Sequence, residues 1–380
     1  MLSVCATLDI NSAKMGYLEL CVVLLIISHI ILKIKQNWSW LYGLFQTVFA
    51  VIFARRPNVF KTLIKEELIA PDEEKYVVWW TQENKSRVER GEDDTLDIKE
   101  GDTAQRKLWV LLPGGMTSAD TFYTWDAIKS GLFEGDNWCI FHNPGIVNKC
   151  HTQAPPALTE TKYITHFISQ LNKKGVRVSI IGFSAGSMLT IAMAKQADEI
   201  DKANILEPSS VRTLDCCVAV HGPDRIRDVF ENFRNNTYSR LDILFSFSLY
   251  KTMCNSGCTR FLPLNAGGGL HKNKLVWLKG WSWMKSYTES VFKSRWDKME
   301  DRLWSCHSAL STPLNTPVMR ILSINDPIVD FAKCCNPSYF CNVDKLYIQQ
   351  SAGHCCAFRY DKDLASHIRQ WRNDKIEKMK

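Results

Sequence analysis

Short apolar runs without in–out alternation set the tightest limit on what this chain folds into. They lie at Tyr76–Trp80, Leu108–Leu112, Trp138–His142, Val176–Ile181, Cys216–Val220, Val318–Ile324 and Leu346–Gln349. Val, Ile, Leu and aromatic residues fill them, as in strands buried on both faces. Between two of these runs, Tyr163, Ile164, Phe167, Ile168 and Leu171 share one face of a 3.6-residue period, the mark of a packed helix. Strands alternating with helices imply a mostly parallel sheet flanked by helices. In such sheets the reactive groups stand at the carboxyl ends of the strands.

A chain of 380 residues, 46% of them hydrophobic and 23% charged, is neither disordered nor minimal. It is long enough for one α/β domain of about 250–300 residues with appendages. The net charge of +7 lacks the concentrated basic footprint of a nucleic-acid binder. A mean hydropathy of −0.17 confines any membrane element to a local segment.

That segment is N-terminal. Tyr17–Ile34 reads YLELCVVLLIISHIILKI, long enough to cross the hydrocarbon of a bilayer as a helix. A cleaved signal peptide competes with this reading, but the leader carries Asp9 against Lys14 and no small-x-small site follows. The expected division is a leader over 1–16, a transmembrane anchor over 17–35, and an interfacial helix or second span over 36–56. The remainder, 57–380, is the α/β domain. Trp38 and Trp40 suit headgroup level. Lys33, Lys35, Arg55 and Arg56 follow the first run, which by the positive-inside rule places the bulk of a single-pass protein on the cytosolic side, with the endoplasmic reticulum as one host membrane. Free thiols are expected there, because the adjacent pairs Cys216-Cys217, Cys334-Cys335 and Cys355-Cys356 do not suit disulfides and no CxxC suggests zinc.

One segment breaks the alternation, from about Pro223 to Thr316. It contains a triple glycine at 267–269 and the tryptophans Trp277, Trp281, Trp283, Trp296 and Trp304. Such an insertion between strands reads either as a helical lid over the strand ends or as a packing helix pair.

The chemistry concentrates around Val176–Thr190, VRVSIIGFSAGSMLT, where an apolar strand meets Gly182-Phe183-Ser184-Ala185-Gly186 and then a helical run. G-x-S-x-G in this setting puts a serine on a strained turn above the sheet, and the flanking glycines give the backbone room to pass its neighbours. A serine hydroxyl needs a base to take its proton and a carboxylate to orient that base. Those partners are expected in the order acid, then histidine, at the ends of later strands. Val318–Ile324 ends at Asn325-Asp326-Pro327, and Leu346–Gln349 ends at Ser351-Ala352-Gly353-His354. Ser184, Asp326 and His354 are therefore the expected nucleophile, acid and base. Asp326 before Pro327 also reads as a helix N-cap, and Asp330 lies nearby but past the strand. Donors for an oxyanion are expected from the Ala185 N–H and from the loop Leu111-Leu112-Pro113-Gly114-Gly115-Met116, Gly115 first and Met116 second. This chemistry calls for no metal or cofactor.

With these residues in place the chain resembles the α/β-hydrolase superfamily, and more narrowly its membrane-anchored esterases and lipases, the group that includes the plant embryogenesis-associated protein. The resemblance covers roughly Arg55 to Trp371. It rests on RRPNVF at 55–60, GFSAGSML at 182–189, FHNPG at 141–145, WSCHSA at 304–309, NDPIV at 325–329 and GHCCAF at 353–358. Departures are Pro113-Gly114-Gly115 where the family carries His-Gly-Leu/Phe, Pro144 where it carries an arginine, and the absence of a His-x4-Asp motif. The resemblance implies an α/β-hydrolase fold and hydrolysis of carboxylic esters, often lipid esters with medium or long acyl chains and sometimes phospholipids. The alternatives are a catalytically weak scaffold or lipid-binding protein, and an acyltransferase using the same three residues. The expected partners are a lipid or acyl-ester substrate and the bilayer.

Overall fold

The computed structural model describes residues 38–53, 56–89, 107–115, 117–148, 159–204, 212–235, 242–243, 246–247, 250, 276–280, 282–286, 305–335 and 342–378. The expected leader and anchor lie outside these residues. No helix among the described residues is long and apolar enough to cross a membrane.

Eight strands form one sheet: β1 (Ile64–Ile69), β2 (Lys75–Trp80), β3 (Lys107–Leu112), β4 (Asn137–His142), β5 (Arg177–Phe183), β6 (Cys216–Val220), β7 (Val318–Ser323) and β8 (Lys345–Gln349). Their order is β1-β2-β4-β3-β5-β6-β7-β8. β2 runs antiparallel to both β1 and β4, and the pairings from β4 through β8 are parallel. This mostly parallel sheet with flanking helices is consistent with the expected α/β-hydrolase fold. The seven expected strands are present, with ends shifted by a residue or two. An eighth, β1, forms from the charged stretch IKEELI, which is not among the apolar runs.

The helices are α1 (Trp38–Phe53), α2 (Gln82–Glu89), α3 (Phe122–Lys129), α4 (Lys162–Lys173), α5 (Ala185–Ala203), α6 (Ile226–Asn235), α7 (His307–Leu310), α8 (Phe331–Cys334), α9 (Ala357–Tyr360) and α10 (Leu364–Glu377). Side chains alternate across a strand, so β3 sends Leu108, Val110 and Leu112 to one face and Trp109 and Leu111 to the other. The first face packs on Tyr163, Ile164, Phe167, Ile168 and Leu171 of α4 and on Leu189, Met193 and Ala197 of α5. The second packs on Tyr123 of α3, Phe358 of α9 and Leu364, Ile368 and Trp371 of α10. Burial on both faces is what removes polar alternation from the central strands.

Two features fix the parts that carry the site. Asp198 of α5 accepts the amides of Asn315 and Thr316, at 2.6 and 2.7 Å, which ties the helix after Ser184 to the approach to β7. Arg320 of β7 is buried and pairs with buried Asp224 after β6. The expected lid falls mostly outside the described residues. Its described ends are joined by a bridge between Arg225 and Ser305. The described cysteines are free thiols.

Candidate active site

Ser184 is the single residue between β5 and α5, held at φ 52° and ψ −120°. Its neighbours explain the motif in atomic terms. A Cβ on Gly182 would stand 2.1 Å from the Gly186 carbonyl oxygen, and one on Gly186 would stand 2.2 Å from that of Leu112. Only glycine permits those approaches. The Ser184 N–H donates to the Val220 carbonyl at 3.0 Å, which pins the turn to β6.

The expected acid and base converge on this serine. His354 Nε2 lies 2.9 Å from Ser184 Oγ, and His354 Nδ1 lies 2.8 Å from Asp326 Oδ2. An ionised Asp326 accepts only, so Nδ1 carries the proton it shares and Nε2 is left to accept from the serine hydroxyl. Asp326 and His354 are buried, at 6% and 7% exposure, and Ser184 is half-buried. Burial works against a charged imidazole, but the Asp326 carboxylate outweighs it and holds His354 well above the ordinary histidine pKa. Asp326 also does what its N-cap reading implied: its Oδ1 accepts the amides of Ile328 and Val329 at 2.8 and 2.9 Å. The rival Asp330 instead caps α8 through the Ala332 amide.

The glycine loop after β3 lies against Ser184. A Cβ on Gly114 would be 3.1 Å from Ser184 Cβ, and one on Gly115 would be 3.2 Å from Ala185 Cβ. The Gly114 N–H is already committed to Tyr123 Oη at 2.9 Å. The Ala185 amide opens α5, among the N–H groups that have no partner within the helix. Met116 lies outside the described residues. Beside this loop is a mainly apolar cavity lined by Gly115, Phe141, His142, Asn143, Ala185 and Leu189, among others. Burial lowers the His142 pKa to about 3, so that ring is neutral.

Four residues that sequence reasoning missed hold the acid and base loops. Asn325 Oδ1 accepts the amides of Ala352 and Gly353, both at 3.0 Å, joining the turn after β7 to the turn after β8. His221 sits behind the base: its Nδ1 accepts the Cys355 amide at 2.9 Å, and its Nε2 donates to Gln349 Oε1 at 2.9 Å. Burial holds the His221 pKa down, at about 4. Gln46 and Thr47 come from α1, far away in sequence. Gln46 Oε1 accepts from Asn325 Nδ2 at 2.7 Å, and Thr47 Oγ1 accepts the His354 amide at 2.9 Å. A His-Gly pair following a strand was the one available signal for His221, and no local signal marked the other three.

No family model matches the chain, and no curated protein matches it. Among solved structures, the chain is similar to an esterase of Pyrococcus furiosus, at 14% identity and a TM-score of 0.48 over 82% of this chain and 90% of that one. It is also similar to a membrane phospholipase A described as a bacterial virulence factor, at 12% identity and a TM-score of 0.46 over 94% and 98%. A hydrolase from Pseudomonas aeruginosa shares 11% identity at a TM-score of 0.45, over 80% and 97%.

Proposed function

We propose that this chain is a membrane-associated serine hydrolase that cleaves carboxylic (acyl) esters, with lipid esters such as acylglycerols, fatty-acid esters or phospholipids as its substrates. One observation carries the reading: an unbroken line of hydrogen bonds from Ser184 Oγ through His354 to Asp326. In this reading Ser184 Oγ attacks the ester carbonyl while His354 Nε2 takes its proton. Asp326 orients the ring and stabilises the cation that forms. The Ala185 and Gly115 N–H groups receive the negative charge that develops on the carbonyl oxygen. Collapse expels the alcohol, protonated by His354, and water then releases the acyl group by the same steps in reverse. The apolar cavity beside Gly115 and Ala185 takes one arm of the ester. Lipid substrates and a membrane position are supported by the apolar run at Tyr17–Ile34, with the domain on its cytosolic side.

The test is covalent labelling with a fluorophosphonate, read by intact mass. The wild-type chain is expected to gain one adduct, and Ser184→Ala none. Equal labelling of the two, or no labelling of the wild type, overturns the assignment.

A further inference from the structure

Helix α1 turns two different faces outward and inward. Gly43, Gln46 and Ala50, spaced i, i+3, i+7, form a buried stripe. On the other side Trp38, Tyr42, Phe45, Phe49 and Phe53 follow each other along the helix, with Trp38, Phe45 and Phe53 at 62%, 63% and 60% exposure. The inner stripe does not rest on a hydrophobic core. It meets the two loops that carry the acid and the base.

The fit is close. A Cβ on Gly43 would lie 1.6 Å from the Asn325 carbonyl oxygen, so a larger residue there would lift the helix off the Asp326 loop. Trp40 Nε1 donates to the Pro327 carbonyl at 3.0 Å. Gln46 Oε1 accepts from both Asn325 Nδ2 and Ser351 Oγ, at 2.7 and 3.2 Å. Thr47 Oγ1 donates to the Gly43 carbonyl at 2.8 Å and accepts the His354 amide at 2.9 Å. Arg359 holds the far end through the Ala50 carbonyl at 3.3 Å. Apart from the Thr47–Gly43 bond within the helix, each of these bonds ends on Asn325, Pro327, Ser351, His354 or Arg359, on the two stretches that carry Asp326 and His354.

We propose that α1 couples a lipid surface to the triad: its inner face positions Asp326 and His354, and its outer aromatic face seats on a phospholipid bilayer. The occupant follows from what adjoins the helix. The sequence just before Trp38 holds the apolar run Tyr17–Ile34 with Lys33 and Lys35 at its end, and Arg56, which pairs with Asp120 at 2.6 Å, follows the aromatic stripe. Aromatic residues on one face with basic flanks are the composition of a helix lying in the interface of a bilayer. Hydrolysis then runs fastest on ester presented at that surface, because the same helix that meets the lipid holds the base in line with Ser184. Gln46 and Thr47 are positioning residues in this scheme.

The inference rests on the hydrolase reading above, and its test separates the two. The full chain is assayed on a soluble acetate ester and on a long-chain ester carried in phosphatidylcholine–phosphatidylserine vesicles. Phe45→Ser with Phe49→Ser is expected to lower the ratio of vesicle rate to soluble rate by about tenfold or more, from lost apolar burial. Thr47→Val is expected to lower kcat on both substrates about fivefold to tenfold, the weight of one hydrogen bond, with KM little changed. Thr47→Ser, which keeps the hydroxyl, restores it. An unmoved ratio overturns the lipid seat, and if the double change also turns a dimer into a monomer in light scattering, the face is a contact between copies. An unmoved kcat, or no rescue by serine, overturns the positioning role. A wild-type chain that takes no fluorophosphonate overturns the hydrolase reading and this inference with it, whereas a chain that labels but shows none of these effects overturns the inference alone.

Discussion

Asp326 divides its two oxygens between two tasks, and this division decides what its removal does. Oδ1 shapes the turn through the amides of Ile328 and Val329, while Oδ2 holds the ring of His354. Asp326→Asn retains an oxygen for the turn but presents an amide that no longer stabilises a charged imidazole. Ester kcat is expected to fall by about 10⁴-fold, as when the acid of a serine triad is neutralised. The sign of the pH effect follows from the same bond. The carboxylate raises the His354 pKa, and a protonated ring is no base. Removing the carboxylate lowers that pKa, so the acid limb of kcat/KM against pH moves to lower pH in the variant. A limb that stays in place or moves up means the pair is not coupled as the geometry shows.

At the level of elements, the site depends on loops bonded to one another, with Asn325 at the junction. Its side chain accepts from Ala352 and Gly353 after β8 and donates to Gln46 of α1. Asn325→Ala strips Gly353 of its acceptor, and leaving a buried donor unpaired costs about 1–3 kcal/mol. A lowered melting temperature and a kcat reduced by more than KM is the expected result in steady-state assays; a change in KM alone contradicts it. The same elements show where sequence reasoning reached and where it stopped. The central strands were legible because burial on both faces leaves unbroken apolar runs, and Ser184, Asp326 and His354 because each closes such a run. β1 was not, since an edge strand reading IKEELI alternates half-buried with exposed positions but puts Glu66 on the half-buried side and Ile69 on the exposed one, so no apolar pattern marks it. Gln46 and Thr47 stand within the run WSWLYGLFQTVFAVIF, which by itself points to no partner for them. Their partners lie about three hundred residues on, beyond the reach of local pattern.

Across the whole molecule, buried histidines set how stability responds to acid. His221 titrates at about 4 in the folded protein because burial penalises its charged form, against about 6.5 when unfolded. The unfolded chain therefore binds the extra proton first, and this residue makes stability fall as pH drops from about 6.5 toward 4. His142, at about 3, adds to the same trend. His354 acts in the opposite sense: its raised pKa contributes stability that is present below about 6.5 and is lost as pH climbs through the folded value. His221→Asn puts an acceptor, Oδ1, where Nδ1 takes the Cys355 amide and removes the titration. Its melting temperature should decline less steeply between pH 6.5 and 4 than that of the wild type, and parallel curves would discount His221 as a contributor.

The bond from the His354 amide to Thr47 joins residues 307 positions apart. During synthesis α1 leaves the ribosome early, the Ser184 turn follows, and the base arrives near the end. A nascent chain carries its nucleophile for nearly half of its translation without the group that activates it. Closing so long a loop is slow compared with forming local contacts. In the proposed reading the hydroxyl thus stays unreactive while the chain is still being made, and hydrolysis begins only when both ends of the protein have met.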